Sequence, residues 1–165
     1  MKGVEIISCK LLSFDTSTDS TGYALFESGE LSEYGLINLE KINNTDERIK
    51  AMILSIYRMI EIKKPEIIVV EMTVVSRNAQ AQRSLTMILG AIAGKCYKDN
   101  IFFYMFRPTE WRKLVNIPEE KLPRKREELK KWSLRKVEYM YSITDINDDV
   151  SDAILVGKAY INKFS

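Results

Sequence analysis

The chain contains no histidine. That absence excludes imidazole-ligated zinc centres, Ser-His-Asp triads and Cys-His dyads, so any hydrolytic chemistry must run on carboxylates, hydroxyls or lysine. Cysteine is nearly as scarce: Cys9 and Cys96 have neither the paired spacing of a zinc site nor the count of a disulfide framework. Only four prolines and seven glycines punctuate the 165 residues, and no linker, internal repeat or low-complexity tract stands out. No apolar run approaches the ~20 residues of a membrane span. The first apolar stretch is broken by Glu5 and lacks a cleavage site, so no signal peptide is expected. These absences together predict a soluble, intracellular protein.

What is present suits one globular domain, residues 1–165, with a real core: 45% of residues are hydrophobic and 29% charged. Residues 9–15, 21–27 and 30–39 read as three consecutive strands, with Ser28-Gly29 as the tight turn between the second and third. Ile49, Met52, Ile53, Ile56 and Ile60 give residues 45–63 a helical period. Thr45 with Arg48 is the expected cap, and Lys63-Lys64-Pro65 the stop. EIIVVE (66–71) reads as a strand buried on both faces. Helical spacing returns over 76–98, where Gly90 and Gly94 are expected to mark close packing against the sheet. IFFYMF (101–106) reads as another buried strand, and Pro108 opens a short helix through Val115. After a proline-bearing loop, helices are expected over 122–141 and 148–162, the last burying Val150, Ile154, Gly157 and Ile161. Hairpin-linked strands followed by crossover helices predict an α/β fold, a mixed five-stranded sheet flanked by helices.

Four acids stand where this pattern makes them awkward. Asp15 and Glu71 each end an apolar run that reads as a central strand, and an unpaired buried carboxylate is costly. Ligands of open sheets gather at the carboxyl ends of strands, so both acids could face one crevice. Asp149 and Asp152 lie three apart at the start of the last helix, on one face of it. Taken singly, each has a plain explanation: a turn cap for Asp15, helix-dipole complementation for Asp148, Asp149 and Asp152. Taken together they form a candidate all-oxygen site, suited to Mg²⁺ or Mn²⁺ rather than zinc. Two such ions flanked by carboxylates would support phosphodiester hydrolysis.

The same stretches carry a resemblance. Strand–Asp15–small-residue turn–TGYALFE, then IIVVEMTVVSRNAQ, then DDVSDAILVGKAY, is similar in order and spacing to the RuvC Holliday junction resolvases over nearly the whole chain. The resemblance implies an RNase H-like fold and a Mg²⁺-dependent endonuclease, with Mn²⁺ as a substitute. It further implies a homodimer that nicks opposing strands of a four-way DNA junction. Carried onto this sequence, the catalytic metal ligands are Asp15, Glu71, Asp149 and Asp152, with Asp148 competing with Asp149. The chain departs from the family where Asp-Pro-Gly is replaced by Asp15-Thr16-Ser17. It also offers Met72, Thr73, Val74 and Val75 where the family often presents an aromatic wedge. Such departures suggest a divergent, phage-borne branch, and the expected location is the cytoplasm of a bacterial cell.

Charge is distributed to match. Net charge is only +2, yet residues 121–136 hold eight Lys or Arg against Glu127 and Glu128. A concentrated cationic patch beside a carboxylate site is what a phosphate backbone needs, although a solvated helix face is the commoner fate of such runs. The candidate DNA contacts are Arg77, Arg112, Lys113, Arg124, Lys125, Arg126, Lys130 and Lys131. Trp111 and Trp132 could stack on unpaired bases, with core packing expected for at least one. Two alternatives come from other classes. One is a nucleotide-binding domain of the actin and sugar-kinase type, whose phosphate loop also follows a first-strand Asp. That fold needs two such domains. The other is a DNA-binding protein that keeps the fold without cutting, which four intact acids argue against.

Overall fold

A computed structural model of the chain describes residues 9–72 and 78–165. Its elements run β1 (Lys10–Asp15), β2 (Ser20–Glu27), β3 (Glu30–Asn38), α1 (Thr45–Lys63) and β4 (Ile67–Glu71). There follow α2 (Ala79–Lys98), β5 (Phe102–Phe106), α3 (Pro108–Leu114), α4 (Arg126–Tyr141) and α5 (Asp148–Phe164). The five strands form one sheet in the order β3-β2-β1-β4-β5. β1 pairs antiparallel with β2 and parallel with β4, so the sheet is mixed as expected. Ser28 and Gly29 both have positive φ, the conformation a two-residue hairpin turn demands.

Helices cover both faces. On one side Leu12, Phe14, Ile68 and Val70 pack with Ile49, Met52, Ile56 and Ile60 of α1 and Ile88 and Ile92 of α2. On the other, Leu11, Ile67 and Val69 pack with Trp111, Trp132 and the buried flank of α5. The alternation is the period-2 geometry of strands. It places the odd-numbered positions of β1 and β4 on the α5 side, and Asp15 and Glu71 fall in that series.

Several local expectations need correction. α1 is capped by Asn44, whose Oδ1 accepts from Glu47 N at 3.0 Å, because the residue before the first helical turn is free to adopt extended backbone. β5 is an edge strand and within it only Phe106 is fully buried, since no further strand lies beside it among the described residues. α4 starts at Arg126 rather than near Leu122, because its N-cap Lys125 is still in extended backbone, φ −85° and ψ 141°. Gly90 and Gly94 face open space: a Cβ at either would meet nothing within 4 Å. Each lies two residues from the buried Ile88 or Ile92, which turns it away from the sheet.

Candidate active site

The site grows from the pairing register. Phe14 aligns with Val70 in parallel β1 and β4, so Asp15 and Glu71 end neighbouring strands side by side. Asp15 also pairs with Gly22 across the β1–β2 hairpin. Gly22 is what lets α5 reach them. A Cβ there would lie 2.0 Å from the Asp149 carbonyl oxygen, so only a bare backbone admits the start of that helix. The helix is pinned farther along where Ser13 Oγ, fully buried, donates to Ala153 O at 2.7 Å. Asn147 sets its first turn, Oδ1 accepting from Val150 N at 2.9 Å. Asp149 and Asp152 are thereby carried to the strand ends.

The departure at Asp15-Thr16-Ser17 is resolved by side-chain bonding. Ser17 Oγ accepts from Ser20 N at 3.0 Å and donates to Asp19, and Ser17 N donates to Thr21 Oγ1 at 3.3 Å. A serine-centred turn thus does what a proline and glycine would do by backbone preference.

Electrostatics mark the convergence. Burial, and then the like charges of Asp152, Glu71, Asp149 and Asp148, hold Asp15 well above the usual carboxylate range. Asp152 is pushed up to about 7, mainly by burial, with a Ser133 hydrogen bond opposing and Glu71 adding to the rise. Glu71 is raised by burial against the pull of Trp111 and Arg112. Asp149 is raised by burial against a hydrogen bond from Ser20.

Most of these acids have taken a partner from within the chain. Trp111 Nε1 donates to Glu71 Oε2, and Arg112 lies 3.8 Å from the same oxygen. Ser20 Oγ donates to Asp149 Oδ2, and Lys130 pairs with Asp148 at 2.8 Å. With Asp149 drawn to the β1–β2 turn and Asp148 to α4, the two competing aspartates part ways. Asp152 Oδ1 differs: it is buried with no hydrogen-bond partner among the described residues. An orphaned carboxylate oxygen among raised acids has the chemistry of a hard-cation ligand. Among the described residues no group of three acids is drawn close enough to form a finished ion cage.

Beside the acids opens a cleft of about 590 Å³, lined by Asp15, Glu71, Met72, Leu85, Arg112 and Arg126 among others. Of the expected DNA contacts, Arg112 and Arg126 therefore reach the cleft. Arg124, Lys125 and Lys131 are exposed nearby in sequence. Lys113 lines a separate hollow with Arg107 and Lys163, Lys130 is engaged by Asp148, and Arg77 lies outside the described residues. The basic run is also smaller than its count. Lys136 is buried and donates to Pro118 O at 2.7 Å, and Arg135 pairs with Glu120. Neither tryptophan is open to a base: both are fully buried, 6.3 Å apart between ring centres. The pairing of Trp111 with Glu71 and of Ser20 with Asp149 escaped sequence reasoning, because nothing local to either donor signals an acid far along the chain.

Comparison with known proteins agrees with this geometry. The family described as crossover junction endodeoxyribonuclease RuvC matches residues 11–157. The crossover junction endodeoxyribonuclease RuvC of Caldicellulosiruptor saccharolyticus is 23% identical over 160 residues, 92% of each chain. Thermus thermophilus RuvC, solved in complex with a Holliday junction substrate, is similar with a TM-score of 0.72 at 12% identity, over 93% of both chains. The yeast mitochondrial Holliday junction resolvase gives a TM-score of 0.65 at 14% identity, over 94% of this chain and 78% of that one. These likenesses bear out the RNase H-like fold.

Proposed function

The chain belongs to the RuvC family, and on that premise we propose that it is a Mg²⁺-dependent endonuclease that nicks opposing strands of four-way DNA junctions. The observation that most supports this reading is the orphaned Asp152 Oδ1 beside Asp15 and Glu71. A dead site would have no reason to keep a buried carboxylate oxygen unpartnered among like charges.

Asp15, Glu71, Asp149 and Asp152 would hold the divalent ions, Asp15 being the acid that feels the charge of every other acid in the cluster. When bound, such ions activate water and stabilise the leaving oxygen of the phosphodiester. The chain's own residues do the remaining work. Ser20 orients Asp149, and Arg112 and Arg126 line the cleft where the scissile phosphate would enter. Arg124, Lys125 and Lys131 offer exposed charge for the flanking backbone, and counterion release there supplies affinity without sequence reading. Cutting two opposing strands calls for two sites related by symmetry, which a homodimer of this single nuclease domain would provide. Its place of work would be the cytoplasm of a bacterial cell, and its origin a divergent, phage-borne branch.

The test is incubation with a labelled four-way junction, a fork and a linear duplex, with and without Mg²⁺. Nicking should require the metal and favour the junction. Asp15→Asn, Glu71→Gln or Asp152→Asn should each lower nicking by roughly 10³-fold or more, the loss of several kcal/mol of charge stabilisation. Junction binding should persist in all three. Full activity in any one would sink the site assignment, and ATP turnover without nicking would sink the nuclease reading.

A further inference from the structure

Trp111 belongs to the core and to the site at once. It is fully buried, with its ring against Trp132 and the Arg112 guanidinium 4.7 Å over its face. Packing alone could be served by leucine or phenylalanine. A buried indole also brings an N–H that needs an acceptor, and the acceptor is Glu71 Oε2. Trp132 supplies the contrast: equally buried, its Nε1 has no partner among the described residues. The Trp111 contact follows from topology. Phe106 pairs with Glu71 in the β4–β5 ladder, and α3 begins two residues later at Pro108. The first turns of α3 therefore cross the end of β4 and bring residue 111 onto its last side chain.

The bond has an electrostatic consequence. An indole N–H orients a carboxylate without cancelling its charge, whereas a lysine or arginine in direct contact would compete with a cation. Arg112 lies 3.8 Å from the same oxygen, outside hydrogen-bond distance. Glu71 Oε1 has no protein partner among the described residues. Fixing Oε2 removes much of the rotamer freedom that a glutamate would otherwise lose on binding an ion.

We propose that Trp111 is a positioning residue for Glu71: its indole N–H fixes Oε2 and so presents Oε1 alone to a divalent cation. The proposal rests on the reading of Glu71 as a metal ligand.

The chain has two tryptophans, so ¹⁵N-labelled protein gives two indole resonances, and loss of one in Trp111→Phe assigns them. In the absence of metal, Glu71→Gln should move the Trp111 resonance and leave that of Trp132 in place. In wild-type protein Mg²⁺ should move the Trp111 resonance with the midpoint at which nicking appears. Calorimetry without DNA should find Mg²⁺ binding to Trp111→Phe about 10–100-fold weaker, the usual consequence of losing a hydrogen bond behind a metal ligand. Binding at the wild-type midpoint would overturn the proposal. So would tighter binding, which would make the indole a competitor of the ion. If Trp111→Phe does not fold, the wild-type titration decides: a Trp111 resonance that stays still while the protein binds Mg²⁺ and nicks overturns it. Failure of the nuclease reading looks different, a wild-type protein that neither binds Mg²⁺ nor nicks.

Discussion

Helices α2 and α5 cover opposite faces of one sheet and do so in opposite ways. α2 buries a single stripe, Ser84, Ile88, Leu89, Ile92 and Cys96, and turns Gly90 and Gly94 outward into open space. α5 buries residues nearly all round, and its glycine points inward, where a Cβ at Gly157 would lie 2.4 Å from Phe26 and 2.6 Å from Ser13 Oγ. On the α2 side, apolar side chains of helix and sheet pack against one another. On the α5 side, the missing side chain at Gly22 lets strand backbone meet helix backbone, and that at Gly157 makes room for the Phe26 ring and the Ser13 hydroxyl. The difference has a functional reason. Aspartate is short, so Asp15 on a strand can share a site with Asp149 and Asp152 on a helix only if the two backbones nearly touch.

The most damaging way to break this arrangement short of deleting an acid is to fill the contact. A Cβ at residue 22 collides with the Asp149 carbonyl at 2.0 Å and lies 2.7 Å from Val150 N, both backbone atoms that no rotamer change relieves. Gly22→Ala should therefore lift the first turn of α5 off the hairpin. We expect a stability loss of about 1–3 kcal/mol, the usual cost of overpacking. Nicking measured well below the melting temperature should fall by roughly 10²-fold, as an ångström-scale displacement of catalytic groups commonly produces. Wild-type nicking in Gly22→Ala would mean that close approach is not what assembles the acids.

A smaller effect separates the two faces by pH. Burial raises Asp152 from 3.8 to about 7 and Asp15 well above its usual range. A carboxyl whose folded-state pKa is raised contributes most below its unfolded value, and that contribution is lost as pH climbs through the folded value. Metal-free protein should thus lose stability across the interval from about pH 4 to about pH 7. The loss should be on the order of 1–3 kcal/mol for Asp152, given 1.36 kcal/mol per unit and allowance for partial solvent access. Asp152→Asn should flatten the slope of melting temperature against pH in chelator, and Mg²⁺ should restore the wild-type protein at neutral pH. Among the described residues the α2 face holds no such cluster, so Ile88→Ala should lower every point of the curve and leave its slope alone.

The same contrast governs what could be read in the sequence. The α1–α2 face is written in local periodicity, so both helices were legible from isoleucine spacing. Asp15 and Glu71 were legible because an acid at the end of an apolar run is locally anomalous. The site's supporting atoms are a matter of distance along the chain: Trp111 and Glu71 are 40 residues apart, Ser20 and Asp149 129. No pattern within one element announces such pairs. Lys136 counts toward the cationic run read as a patch for a phosphate backbone, yet it folds inward onto Pro118 O and over Trp132. Its long stem can lie among apolar groups while its tip finds a carbonyl. Gly22 could be noticed in the Thr-Gly-Tyr triplet, but its purpose needs the register and the helix that seats on it.

The outward glycines of α2 give the last and smallest test. Sequence spacing alone, four residues apart in a helix, suggested close packing on the sheet, and the geometry contradicts this. An exposed glycine in a helix interior gives up backbone entropy for nothing, about 0.8–1.0 kcal/mol each relative to alanine. With open space beyond both positions, Gly90→Ala and Gly94→Ala should each stabilise, and the pair should raise the melting temperature by about 2–8 °C in a chain of this length. Nicking should not change, because neither residue approaches the acids. A melting temperature that instead falls, and falls more at low protein concentration, would show that a second surface seats on this face and needs both glycines bare.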